Sequence, residues 1–184
     1  MSFGTESVPV AVTERCELWR PQRTDLAGLV RLVSDEETRR FLGPARDGEA
    51  SQFERLQRNA GCWALYGYGT FIVRQRGGDE IIASCGVFHS WRGYGSEVGM
   101  DDVPEAGWIV RADHWRRGLA GEIMAGALAW FDATHGKQSI KCMIEDGNAA
   151  SEKVAARLCF RRYGVHMIED PNGPVQLNLY ERVS

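Results

Sequence analysis

The chain of 184 residues carries 22 Lys and Arg against 25 Asp and Glu, a formal net charge of -3, and 43% of its residues are hydrophobic. That hydrophobic content excludes a disordered chain, because enough apolar surface is present to offset the entropy of ordering. The length suits one domain. The mild acidity argues against general attraction to nucleic acid or to anionic lipid.

The cysteines and the N-terminal residues exclude further classes. Five cysteines are present, an odd number without a C-x-x-C pair, which argues against a disulfide framework or a zinc knuckle. The histidines show no metal-ligand spacing either, so we expect no metal. The first residues lack a basic region followed by an apolar stretch, and no run approaches the ~18 apolar residues of a membrane span. The sequence therefore predicts a reduced, cytoplasmic protein that does not bind a membrane.

The first half of the chain predicts a polar lead-in over residues 1–12, then a strand, helices and a hairpin. Alternation predicts a strand over Cys16–Trp19, and Thr24-Asp25 offers a cap for a helix with apolar residues at helical spacing. Two further helical stretches and two hairpin strands follow, at Ser34–Leu42, Glu49–Asn59, Thr70–Val73 and Ile81–Phe88.

The second half alternates strands with helices. The predicted elements are a strand over Ala106–Val110, a helix over Leu119–Thr134, a strand over Ile140–Ile144, a helix from Asn148 to Leu158, and strands near Tyr163–Met167 and Val175–Tyr180. This order predicts a single α/β (α+β) domain over residues 13–184, with a central mixed sheet in a three-layer arrangement.

The turn between the strand ending at Val110 and the next helix carries the clearest chemical signal. It reads Trp115-Arg116-Arg117-Gly118-Leu119-Ala120-Gly121. Free backbone N–H groups at a helix start form an array of donors aimed at an anion, and Gly118 removes a Cβ that would obstruct a close approach. The pattern is neither a P-loop nor a Rossmann fingerprint. It favours a pyrophosphate-binding turn, and a basic helix start with a tight turn is the alternative.

The order of motifs resembles the GNAT acyl-CoA N-acyltransferase superfamily, in particular its ribosomal-protein N-terminal acetyltransferase (Rim-type) branch. The family pattern [QR]-x-x-G-x-[GA] falls on residues 115–120, with Trp in its first position. Three other stretches resemble that branch: Thr13-Glu14-Arg15, Glu105 to Val110, and Asn148-x-x-Ser151 followed by Leu158-Cys159-Phe160. The resemblance spans residues 13–180 and implies a three-layer GNAT-like fold with a mostly antiparallel sheet.

By this resemblance the co-substrate is acetyl-CoA. Backbone groups of Ile109 and Val110 would pair with its pantetheine arm as with an added strand. Amides of the turn would hold the pyrophosphate, in a set made of Arg116, Arg117, Gly118, Leu119, Ala120 and Gly121. Asn148 would contact the co-substrate or its bound water, and a plain helix cap is a reading that can hold together with this one.

The resemblance also implies an activity, the direct transfer of an acetyl group to a primary amine of a protein N-terminus or a small molecule. Glu105 is the candidate base, with an exposed glutamate at a strand start as the alternative. Many family members use a tyrosine to protonate the leaving thiolate, but Ala155 occupies that position. Ser151 is therefore the candidate acid, with a residue of the capping turn as its alternative.

The missing tyrosine motivates a second hypothesis, a non-catalytic acyl-CoA-binding or regulatory module on the same fold. Cys159 replaces the glycine of the branch's Leu-Gly-Phe stretch. Because no base is indicated near this thiol, we expect it to be packed rather than nucleophilic. The resemblance leaves a homodimer open, and no nucleic-acid partner is expected.

Overall fold

In a computed structural model, residues 8–43 and 48–183 are described. The strands are β1 Ala11–Val12, β2 Cys16–Trp19, β3 Thr70–Gln75, β4 Ile81–Trp91, β5 Asp101–Val110, β6 Ile140–Glu145, β7 Arg161–Asp170 and β8 Gly173–Arg182. The helices are α1 Leu26–Leu32, α2 Glu36–Arg39, α3 Glu49–Tyr66, α4 Leu119–His135 and α5 Ala149–Arg157, with short 3-10 turns before α1 and before α4.

The strands form one sheet in the order β1-β2-β3-β4-β5-β6-β8-β7. Among the described residues, β5 with β6 is the one parallel pair, and every other pair is antiparallel. The central mixed, mostly antiparallel sheet is therefore confirmed. The hairpin predicted from Gly77-Gly78-Asp79 is also confirmed, since β3 and β4 are joined there in antiparallel register.

Helices cover both faces of the sheet, which gives three layers. Successive residues of β3 point to opposite faces: Phe71 and Val73 pack in a core that includes α4, whereas Ile72 packs in a second core with α1 and α3. The helical spacing predicted for α4 is borne out, because its apolar residues Ile123, Met124, Ala127, Leu128 and Phe131 are all buried.

The structure departs from the predicted elements at several places, and two of the departures are the length of α3 and the position of β1. Helix α3 continues past Asn59 to Tyr66, because Trp63 packs in the core, and it ends at Gly67 in the left-handed conformation. Strand β1 lies within the predicted lead-in and pairs with β2, with Ala11 opposite Leu18. Residues 1–7 of that lead-in lie outside the described residues.

The structure also bears on the expectations for membrane-spanning helices and for the cysteines. In the described part of the chain, no helix combines the length and the apolar character needed to cross a bilayer. All five cysteines are free, and four of them are buried. Cys159 is exposed, so the expectation of a packed thiol is wrong there: its φ of 66° places it in a left-handed turn after α5.

Candidate active site

Strands β5 and β6 are bridged at one place and then separate. In the described residues their register holds one pair, Glu105 opposite Lys141. Beyond that point β5 stays paired with β4 as far as Val110, and β6 stays paired with β8 as far as Glu145. The two strands therefore diverge toward their carboxyl ends and leave an opening between them.

Backbone groups of β5 line one side of this opening. The Arg111 N–H donates to the Ile82 carbonyl of β4 at 3.0 Å. Because hydrogen-bonded pairs alternate along an antiparallel ladder, the groups of Ile109 also point toward β4, while those of Trp108 and Val110 point into the opening. The Trp115 indole N–H donates to the Val110 carbonyl at 2.7 Å. Trp108 is thus a position that the sequence reading missed, and the geometry favours it over Ile109.

The turn predicted to bind pyrophosphate lies at the carboxyl end of β5. Arg116 and Gly118 both adopt left-handed conformations, with φ of 61° and 72°. Gly118 is the N-cap of α4 and makes no side-chain capping hydrogen bond. The first N–H of this helix to reach a helical carbonyl is that of Glu122, which donates to Gly118 at 3.2 Å. The N–H groups of Leu119, Ala120 and Gly121 thus have no carbonyl within their own helix.

Asn148 and Ser151 lie across the opening, at the carboxyl end of β6. The Asn148 side-chain oxygen accepts a hydrogen bond from the Ser151 N–H at 3.1 Å, so Asn148 caps α5. Because β5 and β6 are parallel, this cap and the turn before α4 lie at the same edge of the sheet. The cap reading of Asn148 is confirmed, and its contact with a co-substrate stays a prediction.

Replacing Asn148 by alanine is expected to lower the free energy of unfolding by about 1 kcal/mol, the usual value of a side-chain N-cap. Asn148→Ser keeps a capping oxygen and should recover most of that loss, which urea unfolding measures. If Asn148 also contacts the co-substrate, both variants weaken CoA binding although the serine variant is stable. Equal stability of Asn148→Ala and the wild type would contradict the cap.

Glu105 lies at the point where the two strands separate, and it is not the exposed glutamate that the alternative reading describes. It is 3% exposed. Both of its oxygens are held by Arg92, with Nε to Oε2 at 2.8 Å and Nη2 to Oε1 at 2.5 Å. Each carboxylate oxygen keeps a further lone pair for another donor. The role of Glu105 as the base stays a prediction, and Arg92 is a partner that the sequence reading missed.

Arg92 belongs to the connection between β4 and β5, which is tied down at several points. The Asp101 carboxylate accepts hydrogen bonds from the N–H groups of Gly93 and Gly95 at 2.5 and 3.3 Å. The Tyr163 hydroxyl donates to the Val98 carbonyl at 2.9 Å, which joins this connection to β7. Arg92 is therefore presented to Glu105 by an ordered segment, and no spacing pattern in the sequence indicates the pair.

The position of the family's usual tyrosine holds a core residue. Ala155 on α5 is fully buried, at 0% exposure. Ser151 lies one turn earlier on the same helix and is partly exposed at the edge of the opening. This arrangement is compatible with Ser151 as the acid for a leaving thiolate, a role that stays a prediction.

A family model decides the classification of this fold and site. Residues 15–161 match the model described as an acetyltransferase (GNAT) domain. The chain belongs to the GNAT acetyltransferase family. Among curated proteins, the uncharacterized N-acetyltransferase YoaA of Bacillus subtilis (strain 168) is 23% identical over 181 residues, which cover 95% of this chain and 97% of YoaA.

Solved GNAT structures show the same architecture. A Bordetella pertussis protein described as a GNAT-family acetyltransferase is 28% identical, with a TM-score of 0.80 over 94% of this chain and 99% of that one. RimL, described as a ribosomal α-N-protein acetyltransferase in complex with coenzyme A, is 16% identical, with a TM-score of 0.71 over 97% and 98%. The resemblance to the Rim-type branch is thus confirmed for the fold.

Proposed function

We propose that this GNAT acetyltransferase uses acetyl-CoA to acetylate a primary amine by direct transfer. The observation that carries the proposal is the opening between β5 and β6, which begins at Glu105 and ends at the uncapped start of α4. An extended arm fits beside the free edge of β5, and a diphosphate suits the donor array at the helix start.

The chain's own groups can serve each requirement of the reaction. Acetyl-CoA supplies an acetyl group activated as a thioester. The N–H groups of Trp108 and Val110, which point into the opening, can orient the arm and polarise the thioester oxygen. Glu105, directly or through water, can accept the proton that the amine loses when its C–N bond forms and the C–S bond breaks. Ser151 can pass a proton to the departing thiolate while it takes one from solvent water, so that the serine stays neutral.

The acceptor that suits this chemistry best is an α-amino group. An α-amino group with a pKa of about 7.7–8.0 is partly neutral near pH 7, whereas a lysine side chain at about 10.4 is almost fully protonated. Both oxygens of Glu105 already accept hydrogen bonds from Arg92, so an acceptor that needs little deprotonation fits this site better. The fold likeness to RimL supports the same choice.

The test has two stages, binding and transfer. Calorimetry with CoA and acetyl-CoA comes first, with ATP as a competitor that reports any general nucleotide site. Peptides with free and blocked N-termini, a lysine side chain and small amines are then offered, and products are followed by mass spectrometry because the exposed Cys159 interferes with thiol reagents. Acetylation of the free N-terminus alone is the expected result, and failure to bind CoA overturns the proposal.

The alternative of an acyl-CoA-binding module has a specific observation in its favour. Arg92 occupies both oxygens of Glu105, and Ala155 stands where many relatives have a tyrosine. Tight CoA binding with no transfer to any amine of the panel would establish this alternative. From the sequence we also propose a cytoplasmic location and a single domain over residues 13–184.

A further inference from the structure

We propose that Arg15 is a positioning residue that sets the CoA-binding turn in place and neutralises an acidic side chain beside it. The inference rests on the proposed use of CoA. Arg15 lies in the turn between β1 and β2, about a hundred residues before the turn at α4, and the family resemblance assigned it no role.

Arg15 contacts the start of α4 through its guanidinium and through its backbone N–H. Its Nη1 donates to the carbonyl of Arg117 at 2.8 Å, inside the turn that precedes the helix. Its Nε donates to Glu122 Oε2 at 2.6 Å, and its backbone N–H donates to Glu122 Oε1 at 2.8 Å. One guanidinium therefore joins the turn to the first part of the helix that follows it.

Neighbouring contacts hold this arrangement rigidly. The Thr13 hydroxyl donates to Glu122 Oε1 at 2.6 Å. Thr13 also packs closely on the helix, since a Cβ added to Gly126 would come within 2.8 Å of its methyl group. The side chains of Thr13 and Arg15 thus hold the β1–β2 turn against α4, and the missing Cβ of Gly126 allows the close approach of Thr13.

Glu122 explains why the contact matters for an anionic ligand. Its carboxylate lies near the helix start, where a diphosphate and a carboxylate would compete for the same positive end of the helix dipole. Burial raises the pKa of this carboxyl, but hydrogen bonds from Thr13 and from the Arg15 backbone and guanidinium outweigh burial and leave the pKa below its usual value. Glu122 is therefore charged at neutral pH, and Arg15 supplies the compensating cation.

The left-handed residues of the turn show how Arg15 sets the turn in place. Arg116 and Gly118 flank Arg117, whose carbonyl receives the Arg15 hydrogen bond. A hydrogen bond at that carbonyl fixes the peptide between the two left-handed residues, and with it the direction of the N–H groups offered to the ligand. Arg15 acts on CoA through the turn, without a contact of its own being required.

The experiment compares Arg15→Met, Glu122→Gln and the double variant in calorimetry with CoA and with S-acetylpantetheine, which lacks the diphosphate. We expect Arg15→Met to weaken CoA binding at least about tenfold, the factor that corresponds to 1.4 kcal/mol. The double variant should recover only the part of that loss that comes from the uncompensated Glu122 carboxylate, because the hydrogen bond to the Arg117 carbonyl is still missing. Binding of S-acetylpantetheine should change less than about twofold. Arg76→Met, at an exposed arginine that donates to the Glu14 carbonyl, is the matched control and should bind CoA like the wild type.

Several outcomes overturn the inference. Unchanged CoA binding by Arg15→Met contradicts it, and so does an equal loss for both ligands that Glu122→Gln does not recover, because that pattern indicates a structural role alone. If Arg15→Met does not fold, Arg15→Lys keeps the charge but loses the fork, and wild-type CoA binding by that variant also contradicts the inference. Absence of CoA binding by the wild type instead overturns the proposed function itself.

Discussion

Replacing Arg92 by methionine is expected to lower the free energy of unfolding by about 3 kcal/mol, because it leaves a buried carboxylate without its partner. Glu105 is 3% exposed and both of its oxygens accept hydrogen bonds from this one guanidinium. Glu105→Gln should cost less, since Arg92 is partly exposed and water can solvate it. Urea unfolding measures both variants.

The double variant Arg92→Met with Glu105→Gln provides the decisive comparison. It removes the uncompensated charge, so we expect it to be more stable than Arg92→Met by about half of the single loss. Arg58→Met, at an exposed position of α3, is the control for a change from arginine to methionine and should alter stability by less than about 0.5 kcal/mol. If Arg92→Met is as stable as Arg58→Met, the pair does not hold Glu105 as described.

The second large effect is expected at the turn before α4. Gly118→Val places a β-branched residue at a φ of 72°, which costs at least about 1–2 kcal/mol and forces the turn to rearrange. Since the N–H groups that follow change direction with it, CoA binding should weaken at least tenfold, corresponding to about 1.4 kcal/mol. Calorimetry measures this effect, and circular dichroism shows whether the fold is retained.

Gly136 offers a matched control at the other end of the same helix. Its φ is 78°, and a Cβ added there meets no atom within 4 Å. With a ψ of 161°, Gly136 lies in a backbone region that essentially only glycine adopts, so Gly136→Val introduces at least as much backbone strain as Gly118→Val. It does so without touching the turn, and it should bind CoA like the wild type. Equal binding by the two valine variants would show that the turn does not hold the ligand.

The spacing of apolar residues in the sequence predicts most of the helices and strands. It does not predict contacts between residues that are distant in the sequence. The apolar spacing of α4 predicts its buried face, and the strand–turn–helix order around Gly118 places the helix start correctly. The family pattern indicates Glu105, but the pairing of this carboxylate with Arg92 depends on the path of the connection between β4 and β5. No local pattern specifies which distant guanidinium a carboxylate meets.

Two single residues show the same limit at finer scale. Cys159 stands between Leu158 and Phe160, which favours burial, yet the chain needs a left-handed residue there and turns the thiol outward. Ile109 and Val110 are adjacent in the sequence and equally plausible as partners of a strand-like ligand. Only the register of β4 with β5 distinguishes them, since it turns Val110 toward the opening and Ile109 away from it.

Among the described residues, the pair of Glu105 with Lys141 is the one bridge that joins two groups of hydrogen-bonded strands within the sheet. Strands β1 to β5 form the first, and β6, β8 and β7 form the second. An extended ligand bound between them would supply backbone-like hydrogen bonds where β5 and β6 are not paired with each other. A ligand in the opening would then add to the free energy of unfolding of the domain. The free energy of local unfolding of β6, β8 and β7 would rise with ligand concentration.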